Sequence, residues 1–175
     1  AKSDATAVAK TLKTKYGYKV NTLFNATRID ILDAFDEYRE ILTKDDNLLI
    51  YYAGHGYLDE EDNRGYWMPV DARPNRRSAW LSNADITGTL KALKAKHVMV
   101  MADSCYSGTL TRGLSLKKRS PDYVREVAKK KARVVITSGG LEPVADKSGG
   151  NHSPFASVFL DVLNSNNGVL DGTKL

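Results

Sequence analysis

One cysteine in 175 residues excludes an intramolecular disulfide, so the fold must rest on its apolar core. That is compatible with a reducing compartment, and a cytoplasmic location is the expectation. No apolar run approaches the roughly 18 residues of a membrane span, and the opening AKSDATAVAK is not a secretory signal. The expected molecule is soluble, without a membrane partner. Internal repeats and low-complexity stretches are also missing. A chain of this length fits one domain, large enough to bury roughly 70% of its unfolded surface.

The net charge of +5 is unevenly spread. Residues 112–133, RGLSLKKRSPDYVREVAKKKAR, hold nine Lys or Arg against Asp122 and Glu126, a net of +7. The remainder carries 17 basic and 19 acidic groups, a net of −2. Such a segment suits a solvated linker, a protease-sensitive loop or a nucleic-acid footprint. Within it only Tyr123 is available to stack on a base, which argues against nucleic acid as a partner.

Along the chain, apolar residues recur at helical spacing in DATAVAKTLKTKYG, where Ala5, Val8, Leu12 and Tyr16 precede a stop at Gly17. YKVNTLF reads as a strand. In ATRIDILDAFDEYREIL, Ile31, Leu32, Phe35, Tyr38, Ile41 and Leu42 form one stripe of a helix. NLLIYYA, HVMVMA and ARVVITS are short continuous apolar runs, as expected of strands covered on both faces of a parallel sheet. GYWMPV reads as a short strand or hairpin arm. SNADITGTLKALKA is a helix capped by Ser82 or Asn83, and SPDYVREVAKKK and SPFASVFLDVL are helices opening on Ser-Pro. Strands alternating with helices imply right-handed crossovers and a mainly parallel sheet.

In such a sheet, sites form in the crevice at the carboxyl ends of the strands. Two strands end on reactive side chains bracketed by small residues: LLIYYA runs into GHG, carrying His55, and HVMVMA runs into DSCYSG, carrying Cys105. A lone Cys105 reads as a core thiol and a lone His55 as a loop residue. Both after buried strands read as a pair. A thiol is only a few per cent ionised at pH 7, and a neighbouring histidine is the base it needs. The backbone N–H groups of Gly56 and Cys105 would suit an oxyanion.

These segments, with NATR, GYWMPVDA, LSNADI, MADSCYSG, TSGGLEPV and HSPFA, resemble the caspase-like cysteine peptidases, and among them the bacterial caspase homologues and metacaspases. The resemblance covers nearly all of residues 1–175 and implies one caspase-like peptidase domain of α/β class. The expected architecture is a three-layer fold with a mainly parallel central sheet flanked by helices. Caspases place a histidine roughly 50 residues before the cysteine of Q-A-C-x-G; here His55 and Cys105 are separated by 50. Asp103-Ser104 replaces Gln-Ala, which is similar to the metacaspase side.

By this resemblance His55 is the base, Cys105 the nucleophile and Gly56 an oxyanion donor. Ser138 and Gly139 lie beside the substrate backbone. Asp103 lines the pocket for the residue before the cut, so the substrates are proteins or peptides cleaved after Arg or Lys. Asn25 stands where many metacaspases carry a second acidic residue, and Asp146 is a candidate replacement. The family's first strand is missing ahead of AKSDATAV, so further domains of the same protein are expected. Processing within the basic segment is expected as well.

No cofactor is implied. Some metacaspases need calcium, but the acidic stretch LDEEDN, residues 58–63, reads first as a solvated loop. Without a second cysteine or clustered histidines, no zinc or other metal site is expected. His97 begins a strand and reads as structural, while His152 precedes a helix and reads as shaping a loop beside the site. Two other readings stay open. A C-x5-R phosphatase cradle is off by one residue at Cys105 and Arg112, and a silent caspase-like scaffold or nucleic-acid module would use the basic segment.

Overall fold

A computed structural model of the chain describes residues 1–104, 131–139 and 152–166. In chain order the elements are helices α1 (Lys2–Tyr16) and α2 (Arg28–Ile41), then strands β1 (Asn47–Ala53), β2 (His55–Asp59) and β3 (Arg64–Met68). Strand β4 (Leu81–Ser82), helix α3 (Asn83–Ala92), strands β5 (His97–Asp103) and β6 (Ala132–Thr137), and helix α4 (Pro154–Ser165) complete it.

Strands β1, β5 and β6 make a parallel sheet with β5 central. The pleat sends alternate residues to opposite faces, and each face meets its own helices. Leu48, Ile50 and Tyr52 of β1, with Val98, Val100 and Ala102 of β5, pack against Phe35 of α2 and Ile86 and Leu90 of α3. Leu49 and Tyr51, with Met99 and Met101, meet Val8 and Leu12 of α1 and Phe159, Leu160 and Leu163 of α4. The result is the expected three-layer α/β architecture.

Local chemistry sets the helix ends. Gly17 closes α1 at φ 71°, in the left-handed region glycine tolerates best. Thr27 and Asp30 cap α2 reciprocally: the Thr27 side chain accepts from the Asp30 N–H, and the Asp30 carboxylate accepts from the Thr27 N–H. Ser82 caps α3, and Ser153 caps α4 ahead of Pro154.

Two sequence expectations change. Residues 18–24 are not a strand. They have no ladder partner among the described residues, and Val20, Leu23 and Phe24 lie exposed. A strand is completed by its neighbour, so β-prone residues without one stay irregular. Second, β1 and β6 are only half-buried, whereas β5 is the buried strand. The reason is position, since of the three strands of this sheet only β5 is flanked by a strand on each side among the described residues. The helix expected at SPDYVREVAKKK falls outside those residues but for its last one.

Among the described residues no helix is long and apolar enough to cross a membrane.

Candidate active site

The parallel register brings the three strand ends to one edge. Ala53 pairs with Asp103, and Ala102 with Thr137. Backbone hydrogen bonds extend the alignment past the strands: the Gly54 N–H donates to the Asp103 carbonyl (3.3 Å) and the Ser138 N–H to the Ala102 carbonyl (3.0 Å). The Ser138 hydroxyl donates to the carbonyl of Ser104 (3.2 Å), which is buried. The three residues before Cys105 are thus each held by a hydrogen bond to their carbonyl, Asp103 from the β1 side and Ala102 and Ser104 from the β6 side. Cys105 itself, Asp146 and residues 112–130 of the basic segment lie outside the described residues. Gly139 follows Ser138 at the same edge and is half-buried.

His55 arrives from the other direction. The sequence reading made GHG a loop, but His55 opens β2, pairing with Met68, and Gly56 pairs with Trp67 in a small antiparallel sheet ordered β2-β3-β4. The link between the sheets is aromatic. Tyr52 stacks on Trp67 with centroids 4.0 Å apart and planes 1° apart, and its hydroxyl donates to the His55 carbonyl (2.8 Å). Burial pushes the Tyr52 phenol well above its ordinary range, so it remains a donor. A Cβ on Gly54 would lie 2.7 Å from the Tyr52 hydroxyl oxygen. Only glycine lets the chain turn between sheets beside that ring. The imidazole of His55 is delivered exposed, two residues past the end of β1.

Asp103 ends β5 half-buried. Its Oδ2 accepts from the Tyr51 hydroxyl (3.2 Å) and from the Ser153 hydroxyl (2.5 Å). Tyr51 stacks on Phe159 of α4, with centroids 6.1 Å apart. The Ser153 oxygen also accepts from the Ala156 N–H as the α4 cap (2.9 Å). Sequence reasoning missed both partners. The Ser-Pro opening marks a helix start, but nothing local says that the same hydroxyl faces a strand 50 residues away. Tyr51 reads as one more residue of an apolar run.

Asn25 is exposed with φ 51° in the turn before α2. It is tied to the histidine's hairpin rather than to Asp103 by the bonds around it: the carbonyl of Ala26 accepts from the N–H of Val70, two residues past Met68. His97 opens β5 with Nδ1 2.7 Å from Oδ1 of Asn47, its register partner, a structural placement. His152 lies beside Ser153, with Nδ1 2.6 Å from Oδ1 of buried Asp4. Burial raises the Asp4 carboxyl, but hydrogen bonding and charge, those of His152 among them, outweigh it and hold the carboxyl below its ordinary value.

The acidic stretch 58–63 is less solvated than its composition implies. Asp59 is buried and paired with Arg77, which also reaches Asp62 (3.8 Å). Asn63, at φ 55°, turns the chain from β2 into β3.

The family profile Peptidase_C14, described as the caspase domain, matches residues 1–173. The chain belongs to the caspase-domain family. Within it, a 58-residue stretch is 41% identical to the mucosa-associated lymphoid tissue lymphoma translocation protein 1 homolog of Mus musculus. That stretch is 33% of this chain but only 7% of the mouse protein. The crystal structure of protein GSU0716 from Geobacter sulfurreducens superimposes with a TM-score of 0.64 at 23% identity, covering 93% of this chain and 71% of that one. That likeness supports the caspase-like fold. Membership in a peptidase family is consistent with cysteine peptidase chemistry.

Proposed function

We propose that the chain is a cysteine endopeptidase in which His55 and Cys105 form the catalytic dyad and the bond cut follows Arg or Lys. One observation carries the reading. β1 and β5 end in register, so the chain entering His55 and the chain entering Cys105 leave the same sheet edge side by side. His55 takes the Sγ proton of Cys105, and the thiolate attacks the scissile carbonyl carbon. Negative charge gathers on the carbonyl oxygen, where the N–H groups of Gly56 and Cys105 are the proposed donors. The imidazolium returns the proton to the leaving amine. Water, activated by His55, then hydrolyses the thioester and regenerates the thiol. No cofactor enters this sequence.

Asp103 supplies the specificity. A carboxylate at the edge, two residues before the nucleophile, suits a guanidinium or ammonium group and repels an aspartate side chain. Ser138 and Gly139 border the same edge as contacts for the substrate backbone, while Asn25 and Asp146 are the remaining candidates for the pocket. The substrates are proteins or peptides with a basic residue before the cut. Residues 112–133 are rich in such residues and begin seven past Cys105, so the enzyme would also process itself there.

Replacing Cys105 by Ala, or alkylating the chain's one thiol, should abolish peptide hydrolysis while leaving the fold intact. Hydrolysis that persists in folded Cys105→Ala protein refutes the dyad. Fragments ending within residues 112–131 should form in active protein and not in Cys105→Ala. Equal fragmentation in both rules out self-processing.

A further inference from the structure

Asp103 cannot recognise a cation by its presence alone, because an aspartate at a strand end has rotamers that turn its carboxylate away from the edge. Two hydroxyls on different layers remove that freedom. Tyr51 projects from β1 and is braced against Phe159, while Ser153 is fixed as the N-cap of α4. Among the described residues both donors fall on one oxygen, Oδ2. Two donors on one oxygen set the plane of the carboxylate and leave the lone pairs of Oδ1 for an incoming guanidinium or ammonium hydrogen. The phenol keeps its proton at all working pH values, since burial first and the negative charge of Asp103 second push Tyr51 far above its ordinary range.

The geometry points to Tyr51 and Ser153 as positioning residues for specificity, a two-hydroxyl clamp that aims the Asp103 carboxylate at the basic side chain before the cut. The assignment rests on Asp103 being the specificity carboxylate, and it adds how the carboxylate is held. Neither residue touches the substrate; each acts through Oδ2 of Asp103. The clamp also ties specificity to the seating of α4, because the hydroxyl that starts that helix is the one that holds the carboxylate.

The test reads binding, so that turnover is not needed. In Cys105→Ala protein, affinities are measured for two fluorescent peptides that differ only in ending with arginine or with its neutral isostere citrulline. Tyr51→Phe deletes one hydroxyl and nothing else. Ser153→Gly deletes the other with a residue that is tolerated at a helix N-cap. Each should lower the arginine-to-citrulline preference by about tenfold, the ordinary range for a hydrogen bond to a charged group. Citrulline affinity should stay unchanged, and Ser153→Thr should restore the preference.

In an Asp103→Asn background the Tyr51→Phe change should have no further effect on the ratio. If both peptides weaken equally, the hydroxyls serve the fold and the clamp is overturned. If Asp103→Asn removes the preference while Tyr51→Phe and Ser153→Gly keep it, Asp103 is the specificity residue but is not aimed by these hydroxyls. If the unmodified pocket shows no arginine preference, or Asp103→Asn leaves it intact, the specificity reading fails and the clamp fails with it.

Discussion

The two sheets deliver the residues of the proposed site by different means. Asp103 and Ser104 leave the central strand of a sheet covered by helices on both faces, with the Gly54 N–H holding the Asp103 carbonyl and the Ser138 hydroxyl holding that of Ser104. His55 starts a three-stranded antiparallel sheet in which β4 is two residues long. Its position depends on one stacked pair, Tyr52 on Trp67, and on a glycine that makes room for it. The cysteine side of the site is therefore set by the core, and the histidine side by a junction. Changes at the junction should cost activity before they cost the fold, and changes at the core should cost both.

His55→Ala gives the largest effect on rate. It should remove most turnover, by about 100-fold or more for loss of a general base, while thermal stability stays near that of the parent and the Cys105 thiol alkylates more slowly. Trp67→Ala comes next. Trp67 is 2% exposed and shared between the stack and the α2–α3 side of the core, so truncation should cost about 3–5 kcal/mol in denaturant unfolding. Retained stability with lost activity would mean that Trp67 belongs only to the junction.

Gly54→Ala sharpens the contrast at a lower magnitude. The added methyl meets the Tyr52 hydroxyl and must displace the ring or the strand entry, costing about 1–3 kcal/mol as overpacking. Turnover should fall more than stability does, and Tyr52→Phe combined with Gly54→Ala should recover part of it.

The smallest effect lies on the α1–α4 side and depends on pH. Asp4 has a carboxyl held below its ordinary value of 3.8, so it binds fewer protons folded than unfolded. Its stabilising contribution is present above that value and is lost as pH falls through the lower folded one. Urea midpoints measured from pH 6 downward should therefore drop less steeply below pH 4 in Asp4→Asn than in the parent. Parallel curves would show that Asp4 does not contribute to the acid dependence of stability.

How far each region could be read from sequence follows the same division. β1, β5 and β6 were legible because covered parallel strands need continuous apolar residues, and NLLIYYA, HVMVMA and ARVVIT supply them. The caps at Ser82 and Ser153 and the stop at Gly17 were legible because capping is local chemistry. The small sheet was only half visible. RGYWM looked like a hairpin arm, but its partner HGYLD is short, begins with a histidine and a glycine, and gains strand character only by pairing. YKVNTLF failed in the opposite way, with good strand composition and no neighbour among the described residues.

At the candidate site, the run-on of apolar strands into small polar residues pointed to His55 and Cys105, whereas Asp103 and Ser138 came only with the family resemblance. The contacts of Tyr51 and Ser153 were not legible, since both join residues about 50 positions apart: the β1–β5 pairing brings Tyr51 to Asp103, and the packing of α4 on the sheet brings Ser153.

The central claim is that a carboxylate at the carboxyl edge of the core sheet makes this caspase-domain chain cut after basic residues. Fluorogenic peptides identical except for Arg, Lys or Asp before the cut test it directly, compared between the parent and Asp103→Asn. Arg and Lys peptides should be hydrolysed and the Asp peptide left intact, with Asp103→Asn reducing cleavage after Arg by roughly 30-fold or more, as expected for a lost charged partner. Preferential cleavage after Asp would contradict the pocket assignment and the placement of this chain beside the metacaspases.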